Sequence, residues 1–152
     1  MEFFEENLEI ETNSNYNIHM DDNSKINYWI NISAYDLETA DAMFQTRRFL
    51  YVGFMCHQVI EKILKAFYVF IHNETPPYTH NLTFLSEQAG IYELFSENQK
   101  NFIDLLEPLN IKARYPSYKE QINKILDEKK AEEIIINTRE LYTWIKEKLS
   151  KN

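Results

Sequence analysis

The chain has 152 residues, which fits one domain because hydrophobic cores of this size grow as a single unit. Only two glycines and four prolines interrupt it, a composition that favours long helices and excludes glycine-rich phosphate loops. The net charge of -8 is concentrated in residues 1–23, which hold seven of the 24 acids and no Lys or Arg. The rest carries 17 acids against 16 bases, so its charge predicts no general attraction to nucleic acid.

The first 23 residues differ in composition from the remainder. They are acidic, rich in Asn, and without a sustained helical period. This composition predicts a flexible or weakly docked tail over 1–23, followed by one helical domain over 24–150. Two alternatives are an acidic interaction arm and an upstream extension of a domain whose true start is Met20.

Cysteine usage and hydropathy indicate the compartment. The single cysteine, Cys56, excludes an intrachain disulfide and fits a reducing compartment. No run of about 18 apolar residues is present, and the N-terminus lacks the basic and apolar pattern of a signal peptide. We therefore expect a cytoplasmic protein without a membrane segment.

Apolar residues recur at helical spacing through most of the domain. The first helix is predicted over 24–47 and the second over 49–73. Pro76 and Pro77 follow the second helix and set its limit, because proline cannot continue the hydrogen-bond ladder.

Local capping signals predict two further helices. Thr79 is expected to cap a short helix that closes at Gly90, a residue type favoured just beyond helix C-termini. Ser96 and Gln99 form a capping box, in which each side chain bonds the other's backbone N–H. This box predicts a helix that runs to about Pro108.

The C-terminal part of the domain also contains a capping box and apolar residues at helical spacing. Ser117 with Glu120 is a second capping box, which predicts a helix containing Ile122 and Leu126, and the last helix is predicted over 130–148. No segment alternates with period two for long enough to form a strand. The predicted fold is therefore all-α, an up-and-down bundle of four to six helices.

Polar residues follow one side of the second predicted helix. At about 100° per residue, His57, Glu61 and Lys65 lie above one another, with Gln58 and Lys62 alongside. One interpretation is a solvated face with weak salt bridges. Because aromatic residues share this outer sector, a second contact is also indicated, either a homodimer surface or a ligand groove. These aromatic residues are Phe54 and Tyr68.

Several short sequence pieces occur in an informative order and spacing. They are Trp29 with Ala34, Asp36-Leu37 and Ala40; His57-Gln58-Val59-Ile60-Glu61-Lys62-Ile63-Leu64-Lys65; Thr79-His80 with Leu82 and Leu85; and Ala113-Arg114-Tyr115-Pro116. Together they resemble the HEPN family, helical domains related to the substrate-binding half of kanamycin-type nucleotidyltransferases. The resemblance runs from about Trp29 to Trp144 and implies an up-and-down bundle that commonly forms a homodimer.

Members of this family that cleave RNA carry an arginine followed, after four to six residues, by a histidine on a helix. Arg114 has Lys119, Glu120 and Gln121 at those places, and the last histidine of the chain is His80. The chain therefore resembles the non-cleaving branch of the family, and we predict no catalytic residue.

The loop around Arg114 and Tyr115 resembles the corresponding loop of non-cleaving members. Pro116 favours an extended conformation of Tyr115, and a guanidinium at a helix start is a suitable receptor for phosphate or carboxylate. The alternative is structural, with Arg114 tying the loop to a carboxylate such as Asp36 or Glu61.

These features predict a binding and assembly module. The resemblance implies that it binds a nucleotide or supports a separately encoded small nucleotidyltransferase, as in toxin-antitoxin pairs. The alternatives are an atypical ribonuclease toxin with His57 or His80 as general base, and a homodimeric scaffold without a ligand. No cofactor is predicted, and no metal site, because ligand spacings such as His-x-x-x-His are missing. The predicted ligand-binding or interface residues are His57, Gln58, Glu61, Lys65, His80, Arg114 and Tyr115.

Overall fold

The computed structural model describes residues 22–111 and 126–149, and between these ranges Tyr115, Glu120, Gln121 and Lys124. All regular structure within this part of the chain is helical, which confirms the predicted all-α bundle. The helices are α1 (Asp22–Gln45), α2 (Phe49–His72), α3 (Leu82–Gln88), α4 (Glu97–Ile111) and α5 (Glu128–Leu149), with a short 3-10 turn at Tyr92–Leu94.

Helix α2 is the centre of the bundle, and α1, α3, α4 and α5 all pack against it. Its apolar residues occur on every side, as expected for a helix with neighbours all round. Val52, Val59, Ile60 and Ile63 are fully buried. The polar side chains of α2 must therefore also meet protein partners, because few positions along it face water.

A tight turn joins α1 to α2 as a helical hairpin. Arg47 has a φ of 60°, in the left-handed region, and the backbone N–H of Arg48 donates to Met43 O at 2.8 Å. Further along, the buried Ser33 hydroxyl donates to Val59 O at 2.7 Å. That bond satisfies a polar group inside the α1–α2 interface and fixes the register of the two helices.

Two helix boundaries differ from their predictions. Asn81, not Thr79, caps α3, since its side chain accepts from the N–H of Phe84 at 2.9 Å. Helix α4 continues through Pro108 to Ile111, although proline was expected to end it. Packing of α4 against α2 outweighs the loss of one intrahelical hydrogen bond.

Other local predictions are confirmed. Ser96 and Gln99 form both bonds of the capping box, at 2.9 and 3.1 Å, and Gly90 takes a φ of 77° just beyond α3. The box predicted at Ser117 and the helix it would open lie largely outside the described residues. Within the described part of the chain, no helix has the length and apolar character needed to cross a bilayer.

Gly53 marks a close approach between α2 and its neighbours. A Cβ at this position would lie 3.1 Å from Leu109 Cδ1 and 3.2 Å from Leu126 Cδ1. The space therefore accepts the hydrogen atom of glycine. A methyl group would fit only if the Cδ1 atoms of the two leucines moved slightly.

We expect Gly53→Val to lower the free energy of unfolding by about 2 kcal/mol, because its branched side chain overpacks this contact. Gly53→Ala should be close to neutral, since a helix-propensity gain of about 1 kcal/mol offsets the crowding. Urea unfolding measures both, with the exposed Glu132→Val as the control for a β-branched residue in a helix. A Gly53→Val protein as stable as that control would contradict the packing.

Candidate functional site

Glu61 lies at the centre of a buried group of charged and polar side chains. Its side chain is only 1% exposed. Its carboxylate accepts from His80 Nδ1 at 2.7 Å and from Lys65 Nζ at 3.2 Å, and Lys62 Nζ lies 3.5 Å away. We call Glu61, His57, Lys62, Lys65 and His80 the polar cluster. It joins one face of α2 to the segment that precedes α3.

The ionisation of Glu61 follows from these contacts. Burial by itself would raise the pKa of Glu61, but the His80 hydrogen bond and the charges of Lys65 and Lys62 outweigh it and lower the pKa. The carboxylate is therefore charged at neutral pH. A charge at this depth is tolerated because several donors surround it.

His57 lies one helical turn before Glu61 and is fully buried. Its Nδ1 is 4.0 Å from Glu61 Oε1, and its Nε2 is 4.0 Å from Glu107 Oε2. Neither ring nitrogen has a hydrogen-bond partner among the described residues. Burial is the main reason why the pKa of His57 falls to about 4, so the ring is neutral at pH 7.

A chain of amide contacts connects the polar cluster to α4. Lys62 Nζ donates to Gln58 Oε1 at 2.7 Å, and Gln58 Nε2 donates to Asn110 Oδ1 at 2.8 Å. Both Gln58 and Asn110 are buried. These bonds hold the Lys62 ammonium in place, so it is an ordered charge and not a freely moving surface lysine.

Two further carboxylates surround the polar cluster. Burial raises the pKa of Asp36, with the charge of Lys62 opposing the shift. Burial also raises the pKa of Glu107, whose carboxylate accepts from the N–H of Thr83 at 3.0 Å. The Glu107 contact fixes the first turn of α3, and thereby the segment that carries His80.

The polar cluster reaches solvent mainly through one residue. The His80 side chain is 43% exposed, whereas Lys62 is 18% and Lys65 is 9% exposed. The Tyr78 ring, almost fully exposed, lies 5.9 Å from the His80 ring. A ligand would therefore meet His80 first, and Lys62, the next most exposed of these three, lies against the other oxygen of the same Glu61 carboxylate.

The location predicted for the polar side of α2 is wrong in one respect. His57, Gln58, Glu61 and Lys65 were expected on an outer surface of the bundle, but the fold buries all four within the same chain. Phe54 and Tyr68 are likewise partly buried against the core. The segment before α3, together with α4, covers this side of α2, as the contacts of His80 and Asn110 demonstrate.

The predicted site residues divide into two groups. His57, Gln58, Glu61, Lys65 and His80 come together in space. Arg114 lies outside the described residues, and Tyr115 is 55% exposed. The site prediction omitted Lys62, Glu107 and Asn110. The spacing of Lys62 four residues after Gln58 could have indicated the first, but nothing local indicates the other two.

Cys56 is fully buried in the core. Burial raises the pKa of the Cys56 thiol to about 12. Because the thiolate is the reactive form, this residue is unreactive at neutral pH.

The fold and the polar cluster define an all-helical module with charged residues held inside the bundle. The sequence matches the model of the HEPN domain over residues 26–149, and the chain belongs to this family. At the level of the family, it is a nucleotide-related or ribonuclease-type module.

A similar solved structure is that of TT1696 from Thermus thermophilus, with a TM-score of 0.70 and 16% sequence identity. The alignment covers 82% of this chain and 98% of that chain. At this identity the likeness shows a shared fold alone. No curated protein matches the sequence.

The buried, neutral His57 predicts a specific loss of stability in acid. Its pKa is about 4 in the folded chain and 6.5 in the unfolded chain, so only the unfolded chain binds a proton between these values. From pH 7 to pH 5, this histidine alone should lower the free energy of unfolding by about 2 kcal/mol.

His57→Leu should remove this contribution and give a correspondingly shallower dependence of stability on pH. Chemical unfolding at pH 5, 6 and 7 measures it. Ile60→Val, a core substitution without a titratable group, controls for a general loss of stability. Equal pH dependence in wild type and His57→Leu would exclude a buried neutral imidazole.

Proposed function

We propose that this HEPN-family chain is a binding module that receives the phosphate group of a nucleotide at His80 and Lys62, and thereby supports a separately encoded small nucleotidyltransferase. The observation that carries the proposal is the 2.7 Å hydrogen bond from His80 Nδ1 to the buried Glu61 carboxylate. It fixes a partly exposed imidazole beside an ordered lysine.

The chemistry of the two residues supports a phosphate ligand. Because His80 donates its Nδ1–H inward to Glu61, the Nε2 side of the ring is left for a ligand and donates to phosphate oxygen when protonated. Lys62 uses two of its three ammonium donors on Gln58 and Glu61 among the described residues. The remaining donor and the positive charge suit a phosphate oxygen.

Several facts favour binding over cleavage. The arginine-histidine spacing of family ribonucleases is missing from the sequence. His57 is fully buried and cannot contact a substrate, and His72 Nε2 lies 2.6 Å from the backbone O of Gln88. His80 is thus the histidine that both belongs to the polar cluster and reaches solvent.

Calorimetric titration with AMP, ATP and inorganic phosphate tests the proposal. We expect His80→Ala and Lys62→Met each to weaken nucleotide binding at least tenfold, about 1.4 kcal/mol, because each removes one phosphate contact. His72→Ala, which changes an exposed histidine outside the polar cluster, should bind like wild type.

Absence of nucleotide binding, or equal affinity in all three variants, would overturn the proposed site. The partner is tested separately by co-purification with a small nucleotidyltransferase encoded beside this gene. A copurifying enzyme whose activity falls with His80→Ala supports the accessory role, and the lack of any such neighbour removes it.

The same hydrogen bond favours one second candidate, an atypical ribonuclease. A histidine oriented by a buried carboxylate can act as a general base. His80 Nε2 would take the proton of a ribose 2′-hydroxyl, whose oxygen attacks the adjacent phosphorus to form a 2′,3′-cyclic phosphate. The bond from phosphorus to the 5′-oxygen breaks, and this oxygen takes up a proton from water. RNA cleavage that is lost in His80→Ala but kept in His72→Ala would establish this candidate, and intact RNA after incubation with wild type would eliminate it.

A further inference from the structure

One end of the bundle carries a hollow unrelated to the polar cluster. It has a volume of about 460 Å³ and lies where α1 begins and where α2 and α5 end. We call it the end hollow. Its lining combines four apolar side chains with a lysine and two amides. These residues are Ile26, Ile30, Phe70, Leu149, Lys146, Asn23 and Asn27.

The chain enters the fold at this hollow. Helix α1 begins at Asp22, and the next residue, Asn23, already lines the end hollow. Residues 16–21 therefore connect directly to its margin. An extended chain advances about 3.3 Å per residue, so six residues span roughly 20 Å, enough to cross a cavity of this size.

The sequence of this segment suits such a surface. Tyr16, Ile18 and Met20 alternate with Asn17 and His19. In an extended chain, alternate side chains point to the same side. The three apolar residues would then face the hollow, while the two polar ones would face water.

The distribution of charge gives a second reason to place the N-terminal segment at the end hollow. Residues 1–23 contain seven acids and no Lys or Arg. The C-terminal end of the chain is basic, with Lys146 and Lys148 in the last turn of α5 and Lys151 after it. Asp21 and Asp22 are the acids nearest in sequence to Asn23, and Lys146 lines the end hollow, so the two sides of the contact would carry opposite charges.

We propose that residues 16–21 seat Tyr16, Ile18 and Met20 in the end hollow of their own chain, with Asp21, the one acid of this segment, on the side of Lys146. The seated segment buries the apolar surface of the end hollow. This interaction surface is separate from the nucleotide site proposed at His80.

Disulfide trapping in the 152-residue chain tests whether Ile18 faces the end hollow while Asn17 and His19 face away from it. Ile18→Cys is paired with Lys146→Cys, and Asn17→Cys and His19→Cys are each paired with Lys146→Cys as matched controls. The two control positions flank Ile18 in sequence, so chain connectivity alone would give the Ile18→Cys pair a rate between those of the controls. The native Cys56 is fully buried and does not compete.

We expect the pair with Ile18→Cys to form an intramolecular disulfide at least tenfold faster than either control pair. Equal rates for the three pairs, or a disulfide only between two copies of the chain, would overturn the proposal. The latter outcome would assign the end hollow to a second copy.

Thiol labelling of the single variants gives a second measurement that leaves Lys146 in place. The thiol of Ile18→Cys should react at least fivefold more slowly than that of Asn17→Cys. Adding Lys146→Glu and Lys148→Glu should reduce that difference at low salt, because the charges then repel. Identical labelling of both thiols would also contradict seating.

Discussion

The buried carboxylate of Glu61 is the constraint on which the arrangement of this bundle depends. An isolated charge in a protein interior costs several kcal/mol, so the fold must bring donors to it. Lys65 and Lys62 come from the same helix, but His80 comes from a segment 19 residues away. The requirement to neutralise one carboxylate thus ties the connection after α2 back onto α2.

The ionisable groups around Glu61 differ in the direction in which the fold shifts their pKa values. The pKa of Glu61 is lowered, whereas burial raises the pKa values of Asp36 and Glu107. His57 lies between two carboxylates but stays neutral at pH 7, because burial outweighs their attraction for its proton. Glu61 is therefore the carboxylate of this group whose charged form its neighbours stabilise most clearly, through His80, Lys65 and Lys62.

The helices could be predicted because apolar spacing and capping are local properties. The box of Ser96 and Gln99 needs only residues three apart, and both of its bonds form. The environment of His57 could not be predicted in this way. A helical wheel places polar residues outside by default, whereas the Gln58 amide nitrogen donates to Asn110, which is 52 residues distant. Tertiary packing decided whether that side of α2 met water.

Substitutions within the polar cluster differ in whether they would disturb folding as well as ligand binding. Removing Glu61 would leave Lys65, with a side chain only 9% exposed, without its carboxylate, so loss of binding in such a variant would not distinguish a damaged site from a damaged fold. His80 is 43% exposed and can lose its ring with water taking its place. The function of the polar cluster is therefore tested most directly at His80, where a change in ligand affinity can be separated from a change in folding.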